Sequence, residues 1–293
     1  MSGSREIRTK INSVKNTQKI TRAMELVAAS KMRKARDRME EARPYAHYAR
    51  DIIAHATRAS MEYAHPYFQK REIKRAGLIV VSTDRGLCGG LNINLFKEVL
   101  KTIRSYQQQK IDVDLCLIGA KAESFFKRLS GVNIISVASF QENQITISEV
   151  TGAVAVMIDA FDNNKIDALS LFSNSFVNTI KQKPTKEALL PIPNMHSDSS
   201  APQTQSKEHW DYIYEPGAKR VLDVLLVRYV ESQVYCGVVE NMACEQAARM
   251  LAMKNATDNA GDIINSLKLQ YNKARQAVIT QELAEIVSGA AAV

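Results

Sequence analysis

Apolar side chains recur in steps of four and three along the last quarter of the chain. Ala256, Ala260, Ile264, Leu267, Tyr271, Ala274 and Val278 keep the spacing of a coiled-coil seam. The run that contains them, Ala218 to Ser288, has no proline, and its only glycines are Gly237 and Gly261. One helix over these 71 residues would be about 100 Å long at the α-helical rise. Charges at Asp223, Arg228, Glu231, Glu240, Glu245 and Arg249 interrupt it, so no stretch reaches the roughly 18 apolar residues of a membrane span. Beyond Val278 the residues Ile279, Leu283 and Ile286 form a stripe of their own, flanked by Arg275, Gln276, Thr280 and Glu282.

A seam needs a partner helix, and the other end of the chain supplies one. Ser4 to Arg43 contains neither Gly nor Pro. Ile7, Ile11 and Val14 open an apolar stripe that Met32, Ala35, Met39 and Ala42 continue. Between them the strict seam holds Gln18, Thr21 and Glu25, while Ile20, Met24 and Val27 fall on a neighbouring face. This drift predicts a change of partner along one helix. Pro44 is expected to kink or restart the helix, which resumes from Tyr45 to Ala64 and stops at His65-Pro66.

The pattern then changes. Seven of the twelve glycines lie between Gly77 and Gly152. Gly77 to Thr83 is a continuous apolar run, as a buried parallel strand requires. Asn92 to Gln109 reads as a helix and Asp112 to Gly119 as a second strand. A helix through Phe125, Phe126 and Leu129, a strand from Val132 to Val137 and a helix from Thr146 to Phe161 follow. Ser148 is the expected cap of that last helix, with Glu149 behind it. Ile166 to Val177 is a longer strand. Such alternation builds right-handed βαβ units on a mostly parallel sheet. The fold class is therefore α/β plus coiled coil, a small α/β domain inserted between two long helices. Met195 to Lys207, rich in Ser, Gln and Asp, is expected to be a mobile surface loop.

Composition sharpens this outline at one point. The formal net charge is +8 over 293 residues. Residues 1–43 hold twelve Lys or Arg and five Asp or Glu, so the basicity belongs mainly to the first helix. Arg33, Lys34 and Arg36, within the run from Lys31 to Arg38, predict a nucleic acid, anionic lipid or acidic protein partner. No aromatic residue interleaves with that run, which disfavours single-stranded nucleic acid. The four cysteines form no C-x-x-C and the five histidines no H-x-x-x-H; reduced thiols and no metal site are expected. The N-terminus shows no apolar leader pattern.

Asp84-Arg-Gly-Leu-Cys-Gly-Gly90 is the most distinctive loop. It joins a strand to a helix, where nucleotide phosphates bind in many α/β proteins. It is neither G-x-G-x-x-G nor a loop ending in G-K-[ST]. Gly86, Gly89 and Gly90 are read as a structural turn. Arg85 could activate Cys88, but no His or Asp nearby completes a nucleophile-and-base pair. Two readings compete with an interaction role. A DNA-binding coiled-coil protein would show salt-sensitive affinity through Lys31 to Arg38, and a nucleotide-dependent enzyme would bind ligand at Asp84 to Gly90.

These segments carry a family resemblance. Ser13 to Met24, Val27 to Lys31, Asp84 to Gly90 and Tyr271 to Ala290, including Ile279, Thr280, Glu282, Glu285, Gly289 and Ala290, resemble the γ subunits of bacterial F-type ATP synthases from end to end. The resemblance implies an antiparallel coiled coil of the terminal helices carrying a Rossmann-like domain. It implies residues 1–65 as the N-terminal coiled-coil helix, 75–194 as the Rossmann-like domain, 195–209 as the loop and 210–293 as foot and C-terminal helix. It also implies a non-catalytic rotor without cofactor, the catalytic residues lying on β, that couples proton-driven c-ring rotation to conformational cycling of β for ATP synthesis or hydrolysis. The implied partners are the α and β subunits, ε and the c-ring, with no nucleic acid and no direct membrane insertion. The place implied is the cytoplasmic face of the cell membrane. Met24, Arg33, Lys34, Arg36, Arg275, Gln276, Thr280, Glu282 and Leu283 are the expected stator contacts; Tyr212 and Glu215 are expected at the foot against ε and the c-ring.

Overall fold

The computed structural model describes residues 2–59, 65–69, 71–139, 147–192 and 218–291. They form two compact units, one of Met1–Ser30 with Arg249–Val293, the other of Lys31–Ala248. Two helices contribute to both: α1 (Ser2–Ala59) and α5 (Ala218–Ala291). Tyr212, Glu215, the segment from Met195 to Lys207 and the side chains of Ser148 and Glu149 lie outside the described residues.

In the first unit the ends of α1 and α5 pair antiparallel. Ile11 and Ala28 on α1 and Met253, Ala260 and Ile264 on α5 are buried. The seam keeps its partner through the polar positions. Gln18 Nε2 donates to Thr257 O at 3.3 Å, and the hydroxyls of Thr21 and Thr257 lie 2.8 Å apart. The predicted change of partner therefore does not occur within this unit. Satisfied hydrogen bonds let Gln18 and Thr21 remain on the seam, and Ile20 and Val27 stay exposed. Gly261 makes room, since a Cβ there would sit 3.3 Å from Gln18 Nε2.

In the second unit α1 runs on past Pro44 as one helix, so the chain does not restart there. Buried contacts hold it on both sides of the proline. Met39 packs with Val239 and Ala243, and Ile53 packs into the main core. Tertiary packing thus outweighs the roughly 3 kcal/mol cost of an interior proline.

The sheet has five strands in the order β3-β2-β1-β4-β5. β1 (Arg75–Val81), β2 (Asp112–Ile118), β3 (Asn133–Ala138) and β4 (Ala168–Phe176) are parallel. β5 (Gln182–Leu190) runs antiparallel to β4. Helices cover both faces, which is why β1 reads as continuously apolar. On one face α2 (Leu91–Gln108) and α3 (Ala120–Phe126) bury Leu95, Val99 and Phe126 against Leu78 and Val80. On the other, α4 (Ile147–Asp162) and α5 bury Met157, Phe161, Val230 and Val234 against Ile79 and Val81. Each such side chain contributes about 1.5–3 kcal/mol. No strand was predicted over β5. Its sequence, Gln-Lys-Pro-Thr-Lys-Glu, lacks apolar alternation because the strand is an edge. Pro184 and the lysines suit that position.

A short 3-10 turn, Pro66–Phe68, follows His65. His65 is buried; its Nδ1 accepts the Tyr67 N–H at 3.1 Å and its Nε2 lies 3.0 Å from Asp223 Oδ1. The proton therefore resides on Nε2 and the ring is neutral. Burial pushes the imidazole below its ordinary value, against the opposing pull of Asp223 and Asp162 and with help from Lys219. The same burial, with the bond to Asp162, pushes the Tyr67 phenol up. Below about pH 6.5 the unfolded chain takes up a proton that the folded chain refuses. The stability contributed by neutral His65 is thus present above that pH and lost as pH falls toward the depressed value. Thermal melting between pH 7.5 and 5 is expected to show this decline in the wild type and a smaller one in His65→Gln. Equal slopes would refute the assignment.

Candidate functional site

In a doubly wound sheet, ligands bind outside the carboxyl ends of the strands where strand order reverses. Here that point lies between β1 and β4, beside the loop from Ser82 to Gly90. The loop is tied down by its own side chains. Asp84 Oδ1 accepts the Ala120 N–H at 2.8 Å, and Ser82 Oγ accepts the Ala122 N–H at 2.9 Å. The first turn of α3, a natural place for an anion, is thus capped from within and carries a carboxylate. Thr83 Oγ1 donates to Arg85 O at 2.7 Å and accepts from Asn92 Nδ2 at 2.7 Å.

Of the three glycines read as a turn, only Gly89 has positive φ, at +59°. Gly90 caps α2 at φ −86°, and a Cβ on Gly86 would lie no closer than 3.7 Å to Lys121. Leu87 also takes a left-handed conformation, at φ +64°. Gly89→Ala is therefore expected to cost about 1 kcal/mol and Gly90→Ala within about half of that. Chemical denaturation of the two variants compares them directly; equal losses would refute the distinction.

The crevice itself is filled by α5. Asn241 Nδ2 donates to Ser82 O at 3.3 Å, just past β1. Asn174 Nδ2, near the end of β4, donates to Asn241 Oδ1 at 2.8 Å. Cys244 Sγ donates to Asn174 O at 3.3 Å, and Cys88, Leu91, Cys244 and Ala248 pack as one cluster. Burial, reinforced by Glu240, pushes the Cys244 thiol up; burial pushes Cys116 up to about 12. Both thiols are protonated and inert, so neither can serve as a nucleophile. Among the described residues no group of three His, Cys, Asp or Glu could hold a metal ion. None of the described helices is long and apolar enough to cross a membrane.

The residues expected to meet partners are distributed between the units. Arg33, Lys34 and Arg36 are exposed on the part of α1 in the second unit, where Arg36 pairs with Glu40 at 2.9 Å. Met24, half-buried, lies in the first unit. So do Arg275, Gln276, Thr280, Glu282 and Leu283, all exposed. Arg275, Ile279, Glu282 and Ile286 follow one face of α5 at helical spacing, and both isoleucines are exposed. Sequence reading passed over Asn174 and Asn241. The only local sign was a polar Glu240-Asn241 pair in a helical stretch otherwise rich in apolar residues.

The two terminal helices pair with each other in the first unit, and in the second they carry an α/β sheet whose crevice α5 fills; this is a coiled-coil protein with an inserted α/β unit. The comparisons agree. The family model described as ATP synthase matches residues 3–293. The ATP synthase gamma chain of Francisella philomiragia is 57% identical over 298 residues, covering 100% of both chains. A chain of the Euglena gracilis mitochondrial ATP synthase superposes with a TM-score of 0.70 at 18% identity, covering 99% of this chain and 94% of that one. A Tetrahymena thermophila central-stalk chain gives 0.58 at 22% identity, covering 81% and 99%. At those identities the structures speak for the fold. The chain belongs to the ATP synthase γ-chain family, the non-catalytic central-stalk subunits of that enzyme.

Proposed function

We propose that this chain is the rotor shaft of a bacterial ATP synthase, held peripherally at the cytoplasmic face of the cell membrane as part of the complex. In this reading the proton-driven c-ring turns the chain, ε rides with it, and the α and β subunits surround its terminal helices. Each β subunit meets a different side of the shaft in turn. Contacts that differ between β conformations shift their populations, whereas equal contacts would shift nothing. The observation that carries the reading is the end-to-end relation to the Francisella gamma chain. The plugged crevice fits it, because a shaft needs a stiff junction more than a nucleotide site.

The exposed cations Arg33, Lys34 and Arg36 are proposed to face an acidic stator surface on β. Met24, Arg275, Gln276, Thr280, Glu282 and Leu283 are proposed as further stator contacts, with Tyr212 and Glu215 at the foot against ε and the c-ring. The test is reconstitution with α and β. The tagged chain is expected to bring both subunits with it. Reversing Arg33, Lys34 and Arg36 to Glu is expected to change the ATPase rate several-fold at low ionic strength, an effect that fades as salt screens it. An unchanged rate at low salt would show that these cations are merely solvated, and failure to recover α and β would sink the rotor reading itself.

A further inference from the structure

Where α5 crosses the sheet it is buried on most sides, yet it turns polar groups inward. Asn241 is 2% exposed and Asn174 on β4 is 1% exposed. Besides the amide pair, Glu240 Oε1 accepts from Ser175 Oγ at 3.0 Å and from the Phe176 N–H at 2.8 Å. Among the described residues Asn174 Oδ1 has no hydrogen-bond partner. Stability alone does not explain this choice, since apolar residues of similar volume are commonly as stable as a buried polar pair. What apolar contacts lack is direction. They change little when a helix turns or slides by a fraction of a residue, whereas hydrogen bonds are lost within tens of degrees.

A turn of α5 by one residue, about 100°, would carry Glu240 away from Phe176 N–H and Asn241 away from both Asn174 and Ser82. Gly237 packs on the same strand: a Cβ there would lie 2.8 Å from Leu171 Cδ2, a side-chain tip, and 3.5 Å from Ser173 Oγ, so α5 lies close against β4 at this point. Five hydrogen bonds at Glu240, Asn241 and Cys244, with the close packing at Gly237, therefore fix one rotational setting.

We infer that Glu240, Asn241 and Asn174 form a rotational key that locks α5 to β1 and β4, so that an angle imposed on the α/β unit passes into α5 instead of being absorbed by the helix turning on its own axis. The inference rests on the rotor reading above and names positioning residues for it. None of them touches nucleotide. They act by fixing how α5 is set, and the property they protect is coupling.

The paired variant Asn174→Leu with Asn241→Leu removes both amides together and keeps their branched shape and number of heavy atoms. In the reconstituted complex it is expected to assemble with α and β, to melt near the wild-type temperature and to hydrolyse ATP at no less than about half the wild-type rate. ATP-driven proton pumping in vesicles, per ATP hydrolysed, is expected to fall several-fold. Glu240→Gln keeps an acceptor oxygen for the Phe176 N–H and should retain the wild-type ratio; Glu240→Leu should not. A wild-type pumping ratio in the paired variant overturns the proposal. So does a large loss of melting temperature and assembly, which would make the amides a folding element. If the wild-type chain itself fails to assemble with α and β in the same preparations, it is the rotor reading that falls.

Discussion

Arg275→Ala is expected to slow both ATP synthesis and ATP hydrolysis by roughly tenfold or more per assembled complex, with assembly unchanged. Arg275 is exposed in the chain, on the face of α5 that also carries Ile279 and Ile286. Truncating an exposed side chain usually changes stability by no more than about 0.5 kcal/mol, so the fold should be indifferent. Enclosed by a stator subunit, the guanidinium would need hydrogen-bond partners, because an unpaired buried charge is costly. Bonds to a charged group contribute about 1.5–3 kcal/mol each, and about 1.4 kcal/mol corresponds to tenfold in rate. One such bond, made in one rotor position and broken in the next, is enough for the effect. The measurement is turnover with subunit stoichiometry determined on the same sample. Normal turnover would remove the proposed contact, and lost assembly would make Arg275 a structural residue.

Gly119→Ala should be the most damaging small substitution in the sheet. Gly119 has φ +99°, and a Cβ there would lie 2.6 Å from Ser82 Oγ and 2.7 Å from Ser82 O. A left-handed conformation costs a non-glycine residue about 1–2 kcal/mol, and overpacking adds about 1–3 kcal/mol. The neighbour that must yield is the backbone that ends β1, and Ser82 Oγ also caps α3 at Ala122. A total of about 3 kcal/mol or more corresponds to a drop on the order of 10 °C in a domain of this size. A melting temperature within about 2 °C of wild type would refute the account.

Gly119 was not singled out from the sequence, and the reason is instructive. Its demand comes from Ser82, 37 positions earlier, not from its neighbours. Local features were legible. The seam from Ala256 to Val278, the apolar run that becomes β1 and the alternation of strands with helices were all visible as periodicity. So was the distinctiveness of the loop from Asp84 to Gly90, although its pattern could not separate Gly89, which needs positive φ, from Gly90, which does not. Features set by distant contacts were hidden. The passage of α1 beyond Pro44 depends on Met39 and Ile53 finding their cores. β5 looks like a loop because an edge strand need not alternate. Asn241 gains its role only from Asn174 and Ser82, 67 and 159 positions away. The stripe of Ile279, Leu283 and Ile286 was legible as a pattern, and all three side chains are exposed in this chain.

The plug in the crevice also sets the order in which the protein can be completed during synthesis. Strands β1 to β4 emerge from the ribosome before residue 218, but the groups that fill the space at their ends, Asn241 and Cys244, come later. A nascent chain stopped short of α5 would leave Ser82 O, Asn174 and the apolar side chains under α5 open to water and to wrong partners. Contacts so distant in sequence form slowly, and the waiting intermediate is the species most prone to aggregate. Arrival of α5 closes the α/β unit, and its continuation supplies the second strand of the seam. A truncated chain is therefore marked by its own exposed interior and can be cleared before it enters the complex.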